Sequence, residues 1–433
     1  MKFRTFLATT CIAAMPALAQ AADDPNILLI IAEDMGFEAS RCYSVGDQQA
    51  KIPYIEAMCD TGQVFENAYS APACSPTRAT IMTGKYGFRT VVGAAIPPGS
   101  TKGLSAEEAS LFDVISGTNY SSNLIGKWHL AGDGEGLDHP ERMGVSDYFG
   151  IFRGRARDYS DFPAVSGGEQ VRVTEYATTA LTDRAIDWID DRDTDQPWFL
   201  WLAYNAPHSP FHLPPADLHS AGGLPKGEES ITANRLPYYN AALEALDTEI
   251  GRLFASMDEE TRDNTVSMFI GDNGTPNQVT RGFYGDHDAK GTIFEGGTHV
   301  PLVVTGPGVK SGRSEAFVAT VDLFTTIAGL TGADAPEVDG HDFAPAFAGE
   351  ETSRDYIYVE HFSAEEPTRS DVYGWAIREG DFKLVAEEGV EPVLYDLAAD
   401  PREAVNLLAD GVSSEEAAIV DSIKARLTEI REQ

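Results

Sequence analysis

Asn26-Ile27-Leu28-Leu29-Ile30-Ile31-Ala32, followed at once by Glu33-Asp34, is an unbroken apolar run that stops at two carboxylates. An apolar run without alternation describes a strand buried on both faces, the mark of a parallel sheet covered by helices. Pro197 to Tyr204, Thr265 to Ile270 and Val300 to Thr305 read the same way, with a shorter piece at Ser121 to Ile125. Between these runs, Tyr176, Leu181, Ala185, Trp188 and Ile189 share one helical face, as do Leu243, Leu246, Ile250, Leu253 and Phe254. Strands alternating with helices predict an α/β fold: a large, mostly parallel mixed sheet sandwiched by helices.

From about residue 350 the texture changes to short strand-like pieces, Tyr356 to Glu360, Tyr373 to Ile377, Phe382 to Ala386 and Val393 to Asp396. A final helix follows, with Ser413 and Glu416 as its capping box and Ile419, Ile423, Leu427 and Ile430 as its buried stripe. The expected organisation is therefore an α/β domain over 22–349 and a smaller antiparallel sheet with one helix over 350–433. Residues 1–21 carry Lys2 and Arg4, an apolar stretch from Phe6 to Leu18, and the small residues Ala17, Ala19 and Ala21, the pattern of a secretory signal peptide. Export to the periplasm or the medium is the expectation. No later stretch is long and apolar enough to span a bilayer.

The chain holds 32 basic and 68 acidic residues, a net charge of −36. That balance argues against nucleic acid and anionic membranes as partners. With Cys74 set aside, Cys42 and Cys59 are free to pair in an oxidising compartment, and the spacing of the cysteines matches no zinc ribbon or finger.

Both central apolar strands end in oxygen-bearing pairs, Glu33-Asp34 and Asp272-Asn273. Either pair alone reads as an ordinary turn. Ligands of open α/β sheets gather outside the carboxyl ends of the strands, so two such ends bring four oxygen donors to one place, a set suited to Ca²⁺ or Mg²⁺. Within residues 71–85, Cys74-Ser75-Pro76-Thr77-Arg78 places Pro76 in the first turn of a helix that Ala79 to Met82 continue. Cys74 then stands just before free backbone N–H groups and a positive dipole end, where anions bind, with Arg78 as a planar fork for an oxyanion.

Gly126-Lys127-Trp128-His129-Leu130 sets an ammonium and an imidazole two residues apart, facing the same side if the backbone there is extended. His208, in Asn205-Ala206-Pro207-His208-Ser209-Pro210, follows a strand; the nearby prolines argue against a helix pairing it with His212 as zinc ligands, and a strand-end histidine fits proton transfer. Lys290 precedes the glycine-rich turn Glu295-Gly296-Gly297.

Together these segments resemble the type I sulfatases of the alkaline-phosphatase superfamily. The resemblance includes Pro25 to Gly36, the Cys74 segment, Gly126 to Leu130, Pro207 to Pro210, Gly271 to Gly274, Lys290 to Pro301 and the ending Leu394-Tyr395-Asp396-Leu397. It implies that a maturation enzyme oxidises Cys74 to formylglycine, whose hydrate is the nucleophile. It further implies that Glu33, Asp34, Asp272 and Asn273 hold one divalent cation, usually calcium, that Arg78 orients the formylglycine, and that Lys127, His129, His208 and Lys290 line a sulfate pocket. In that scheme His208 protonates the departing alcohol and His129 takes a proton from the second hydroxyl, expelling sulfate. Three positions depart from the family pattern: Glu33 where Asp is usual, Lys85 where Arg usually follows Thr-Gly, and His299 where Arg is common.

The implied activity is hydrolysis of a sulfate ester of a carbohydrate or an aryl alcohol. Hydrolysis of phosphonate monoesters or phosphodiesters by the same nucleophile is a near alternative, and a non-catalytic sulfoglycan-binding protein with an unmodified Cys74 is one from another class. The loops Arg153 to Val173 and Gln278 to Asp288 are expected to shape the subsite for the alcohol.

Overall fold

In the computed structural model, which describes residues 24–43, 45–46, 48–193, 195–280, 282–362 and 374–432, strand β1 (Asn26–Ala32) is wholly buried. Ile27, Leu29 and Ile31 enter one core and Leu28, Ile30 and Ala32 the other. Each such aliphatic side chain contributes about 1.5–3 kcal/mol by leaving water. Residues 1–21, expected from the sequence to be a signal peptide, and Tyr373 lie outside the described residues.

The sheet around β1 has ten strands: β2 (Gln63–Tyr69), β3 (Ser121–Gly126), β4 (Phe149–Gly150), β5 (Phe162–Ser166), β6 (Glu169–Val173), β7 (Trp198–Ala203), β8 (Thr265–Gly271), β9 (Leu302–Thr305) and β10 (Gly312–Ala319) complete it. Their spatial order is β10-β2-β9-β8-β1-β7-β3-β4-β5-β6. The run β8-β1-β7-β3-β4 is parallel, as is β2 with β10. Strand β9 is antiparallel to both β8 and β2, which leaves β2 running in the direction of β1. The carboxyl ends of β1, β2, β3, β7 and β8 therefore open on a single edge. Residues 162–173, expected as loop, instead extend the sheet as the hairpin β5–β6.

Helices cover both faces. Cys74–Thr83, Leu111–Ile115 and Asp322–Leu330 pack on the Ile27 face, while Pro53–Thr61, Ala177–Asp190 and Leu236–Ser256 pack on the Leu28 face. The helical stripes read from the sequence are these buried faces, although Tyr176 caps its helix rather than joining it. A disulfide joins Cys42 to Cys59 with a Cα–Cα separation of 5.9 Å. Among the described residues, no helix is long and apolar enough to cross a membrane.

A second, antiparallel sheet consists of β11 (Tyr356–His361), β12 (Gly374–Glu379), β13 (Phe382–Glu387) and β14 (Val393–Asp396) in sequence order. The helix Ser414–Glu432 lies against it through Ile423 and Ile430. Its capping box is formed: Ser413 N donates to Glu416 Oε2 at 2.7 Å, and Glu416 N to Ser413 Oγ at 3.2 Å.

Buried charge joins the two sheets. Lys383 Nζ on β13 lies 2.8 Å from Glu295 Oε1 and 3.0 Å from Glu403 Oε1, and Glu403 Oε2 accepts from Glu295 N at 2.6 Å. Burial pushes the Glu403 carboxyl up to about 7, against the pull of Lys383. Two buried carboxylates thus share one ammonium, Glu295 having His299 Nδ1 as a second partner at 3.1 Å. Lys383→Met is expected to destabilise the fold by about 3–5 kcal/mol, read from urea unfolding, because it strands buried negative charge. A loss below about 1 kcal/mol would show that water reaches these groups.

Candidate active site

Every residue that the sequence marked for chemistry lies at the edge where the strand ends open. Glu33 and Asp34 leave β1, Asp272 and Asn273 leave β8, and all four side chains are at most 2% exposed. They form one hydrogen-bonded cluster: Asp34 N donates to Asp272 Oδ1 at 2.9 Å, and Asn273 Nδ2 to Asp34 Oδ1 at 2.8 Å. Three cations face three carboxylates here. Arg78 Nη2 lies 3.1 Å from Glu33 Oε2 and 3.3 Å from Asp272 Oδ2; Lys127 pairs with Glu33, and Lys290 with Asp34.

Environment separates the acids. Burial raises the Glu33 carboxyl above the usual range and pushes Asp272 up to about 6, with Glu33 adding repulsion. Burial acts on Asp34 in the same direction but is outweighed by Lys290 and His208, which hold it at about 2. Lys290 moves the other way, raised by Asp34 despite its own burial.

Cys74 opens the buried helix Cys74–Thr83, so Pro76 is the third helical residue and Cys74 the first, one step inside the expected start. Its Sγ lies 3.1 Å from His129 Nδ1. His129 Nε2 is 3.0 Å from the Ile96 carbonyl, which can only accept, so Nε2 carries the proton and Nδ1 presents a lone pair to residue 74. Burial and Lys127 lower this imidazole to about 3.

The stretch 127–129 is not extended, as the side-by-side reading of Lys127 and His129 had supposed. Strand β3 stops at Gly126; Trp128 N and His129 N turn to the carbonyls of Ile151 and Phe152, and His129 sits at φ +53°. Both side chains still enter the site, Lys127 toward Glu33 and His129 toward Cys74. His208 Nδ1 is 2.7 Å from the Ser209 carbonyl, so its Nε2 faces the acids, 3.8 Å from Asp34 Oδ2. Burial lowers His208 to about 4. His212 is engaged elsewhere, at 3.0 Å from the Tyr176 hydroxyl and 2.9 Å from the Pro210 carbonyl.

The donor set fits a hard cation. Carboxylate oxygens of Glu33 and Asp34 and a nitrogen of His208 lie within 4.8 Å of one another. Asn273 Oδ1 is buried without a hydrogen-bond partner among the described residues, an oxygen lone pair held in place beside the carboxylates. The family departures are accommodated. Glu33 reaches both Arg78 and Lys127, Lys85 pairs with Glu108 at 2.6 Å, and His299 packs between Phe37 and Tyr69 beside Glu295.

Several contributors carry no sequence signature. Ser75 Oγ donates to the His129 carbonyl at 2.8 Å and accepts from Ile96 N at 3.0 Å, tying the helix to both chain segments around the imidazole. Tyr239 OH holds the Asp34 carbonyl at 2.8 Å, and Tyr159 OH reaches the His208 carbonyl at 2.7 Å. A Cβ at Gly154 would stand 2.7 Å from His129 Cε1 and Nε2, so only glycine allows that loop to seat the ring. Gly154→Val is expected to move the imidazole and cut kcat by about a hundredfold, in keeping with the cost of a misplaced catalytic group. Unchanged turnover in a folded Gly154→Val protein would show that the loop yields instead.

A buried charged cluster at the carboxyl edge of a mostly parallel sheet, pairing oxygen donors and fixed cations with a cysteine backed by imidazole, is an arrangement suited to the hydrolysis of anionic esters. The sequence comparisons name the branch. Residues 25–333 match the Sulfatase family model, and residues 282–433 match the model of N-sulphoglucosamine sulphohydrolase, C-terminal. Human arylsulfatase A is 27% identical over 92% of this chain and 86% of its own length. N-acetylgalactosamine-6-sulfatase from Sus scrofa is 30% identical over 77% of this chain and 68% of its own length. The crystal structure of Ps i-CgsB in complex with k-i-k-neocarrahexaose superposes with a TM-score of 0.80 at 26% identity, covering 94% of this chain and 93% of that one. The chain belongs to the sulfatase family and is a sulfuric ester hydrolase.

Proposed function

We propose that the protein is an exported sulfatase in which Cys74 is converted to formylglycine and Glu33, Asp34, Asp272 and Asn273 hold one divalent cation, calcium or magnesium. One observation carries the reading: the substituent on Cβ of residue 74 meets an imidazole lone pair, His129 Nδ1, at 3.1 Å within the strand-end cluster of oxygen donors and cations. Formylglycine in its hydrated form supplies one hydroxyl to attack sulfur and a second through which sulfate departs and the aldehyde returns. The cation supplies positive charge where the oxygens of the sulfuryl group gather.

The chain's own residues do the rest. Arg78 is locked by the Lys127 carbonyl at 2.8 Å and by two carboxylates, and so fixes the floor on which residue 74 sits. Lys127 and Lys290 hold ester oxygens, charge placed in advance of the transition state. His129, its Nε2–H committed to Ile96, accepts a proton at Nδ1 from the second hydroxyl. His208 is oriented by the Ser209 carbonyl and delivers a proton from Nε2 to the leaving oxygen. An arriving anionic ester raises the affinity of that nitrogen for its proton, as negative charge does for any neighbouring base.

A sulfated carbohydrate suits the reading better than a simple aryl sulfate. Support comes from the relatives, one named N-acetylgalactosamine-6-sulfatase and one crystallised in complex with k-i-k-neocarrahexaose. Export is supported by the leader-like N-terminus and by the Cys42–Cys59 disulfide, which belongs to an oxidising compartment. Peptide mass spectrometry across Cys74, on exported protein from a host that forms formylglycine, tests the reading. An aldehyde together with sulfate release from an ester is the expected result. An unmodified thiol in protein that still turns over would overturn it.

A further inference from the structure

Arg153-Gly154-Arg155-Ala156-Arg157 puts three guanidinium groups on alternate residues of a chain whose net charge is −36. The segment is pinned at both ends to the catalytic histidines. Gly154 lies against the His129 ring, closely enough that a Cβ would meet it at 2.7 Å. Tyr159 OH donates to the Asn205 carbonyl at 2.6 Å and to the His208 carbonyl at 2.7 Å. Between these anchors Ala156 is 2% exposed and points into the core beneath the loop, while Arg153, Arg155 and Arg157 are exposed. All three arginines thus reach solvent on a short, irregular bridge from one histidine to the other.

The surrounding acids do not neutralise the group. Asp133 pairs with Arg153 at 2.6 Å and Asp161 with Arg172 at 2.5 Å, and Asp158 Oδ1 accepts from Ser160 N at 2.7 Å. Arg155 and Arg157 form no ion pair among the described residues. Two unpaired guanidinium groups at the rim of an anion pocket, on an otherwise acidic molecule, are a local attractor for negative charge and offer planar, bidentate recognition of an oxyanion.

We propose that Arg155 and Arg157 form a subsite for a second oxyanion, a sulfate or carboxylate on the substrate near the ester being cleaved, so that the preferred substrate is a multiply charged glycan. The assignment rests on the sulfatase reading above and adds the charge of the neighbouring sugar to it.

The test separates the two. Cys74→Ala protein is titrated calorimetrically with three matched disaccharides: one monosulfated, one with a second sulfate, and one with a sulfate and a uronic carboxylate. The comparison is repeated after Arg155→Gln/Arg157→Gln and after Arg155→Lys/Arg157→Lys. The dianionic ligands are expected to bind about tenfold or more tightly than the monosulfated one, a gap that closes in the glutamine pair and largely returns in the lysine pair. The gap is also expected to shrink as salt rises from 0.05 to about 0.5 M, as exposed charge contacts are screened. Which dianionic ligand binds better identifies the oxyanion. Equal affinity for all three ligands, or equal losses for all three in the glutamine pair, overturns the subsite. A charge preference in the Cys74→Ala protein whose unsubstituted, mass-verified parent hydrolyses no sulfate ester supports the subsite and overturns the proposed reaction instead.

Discussion

Cys74→Ala protein is expected to lose turnover of every sulfate ester by about a million-fold, the scale seen when a nucleophile is removed from an otherwise intact site. The substitution deletes one atom group from the first residue of a helix whose remaining nine residues stay buried, so the fold should survive it. Arg78, Lys127 and Lys290 are untouched, and affinity for a sulfated ligand should therefore hold to within a few-fold while kcat collapses. Combining Cys74→Ala with His129→Ala should cost little more than Cys74→Ala alone, because the base has nothing left to act on. Steady-state kinetics with mass-verified protein read this directly. Residual turnover within a hundredfold of the parent would remove residue 74 from the reaction.

His208→Ala is expected to divide substrates by their leaving group. Esters of sugar alcohols, whose alkoxides are poor leaving groups, should slow by about a thousandfold, within the usual reach of general acid catalysis. Activated aryl sulfates, whose phenolates depart without help, should slow by tenfold or less. The plot of log kcat/KM against leaving-group pKa should steepen in the variant. Parallel lines for parent and variant would deny His208 its proton-transfer role and leave it a neighbour of Asp34.

The central strands were legible because burial on both faces leaves β1 apolar from Ile27 to Ala32 and the run leading to Asp272 nearly so, with Thr265 and Ser267 its polar members, and the chemistry lies where such runs stop. The oxygen donors stood out because both pairs end such runs, and Cys74 because it opens a helix; Lys127 and Lys290 drew notice through the sulfatase resemblance, and Lys290 borders no strand or helix end. β2 and β10 escaped notice because polar side chains line them. Gln63 and Asn67 are buried on β2, where Asn67 Nδ2 donates to the Glu315 carbonyl at 2.9 Å, a pairing no local pattern announces. β6, Glu169–Val173, is largely exposed and so has no apolar period at all.

Within the site, the misses were backbone contacts. The Ile96 carbonyl that fixes the tautomer of His129 comes from a segment 33 residues away, and any residue type can supply it. Gly154 was invisible for a related reason, since what matters there is a missing Cβ. The geometry of Lys127 and His129 was anticipated in outcome but not in cause: the N–H groups beyond Lys127 leave β7 for Ile151 and Phe152, a choice set by strand β4 and not by the local sequence.

Cys74 is 2% exposed, and every residue from Cys74 to Thr83 is buried, with Ser75 and Arg78 laced to neighbouring segments. No enzyme can admit that cysteine to its own catalytic cleft once the helix has docked. The proposed oxidation of Cys74 would therefore belong to the chain before folding, with docking of the helix as a clock that closes the opportunity. On that proposal, molecules that miss it would be folded and silent, and adding the modifying enzyme afterwards would not revive them. The active fraction of a preparation would then record its biosynthesis, set by a race between a modifying enzyme and a folding chain.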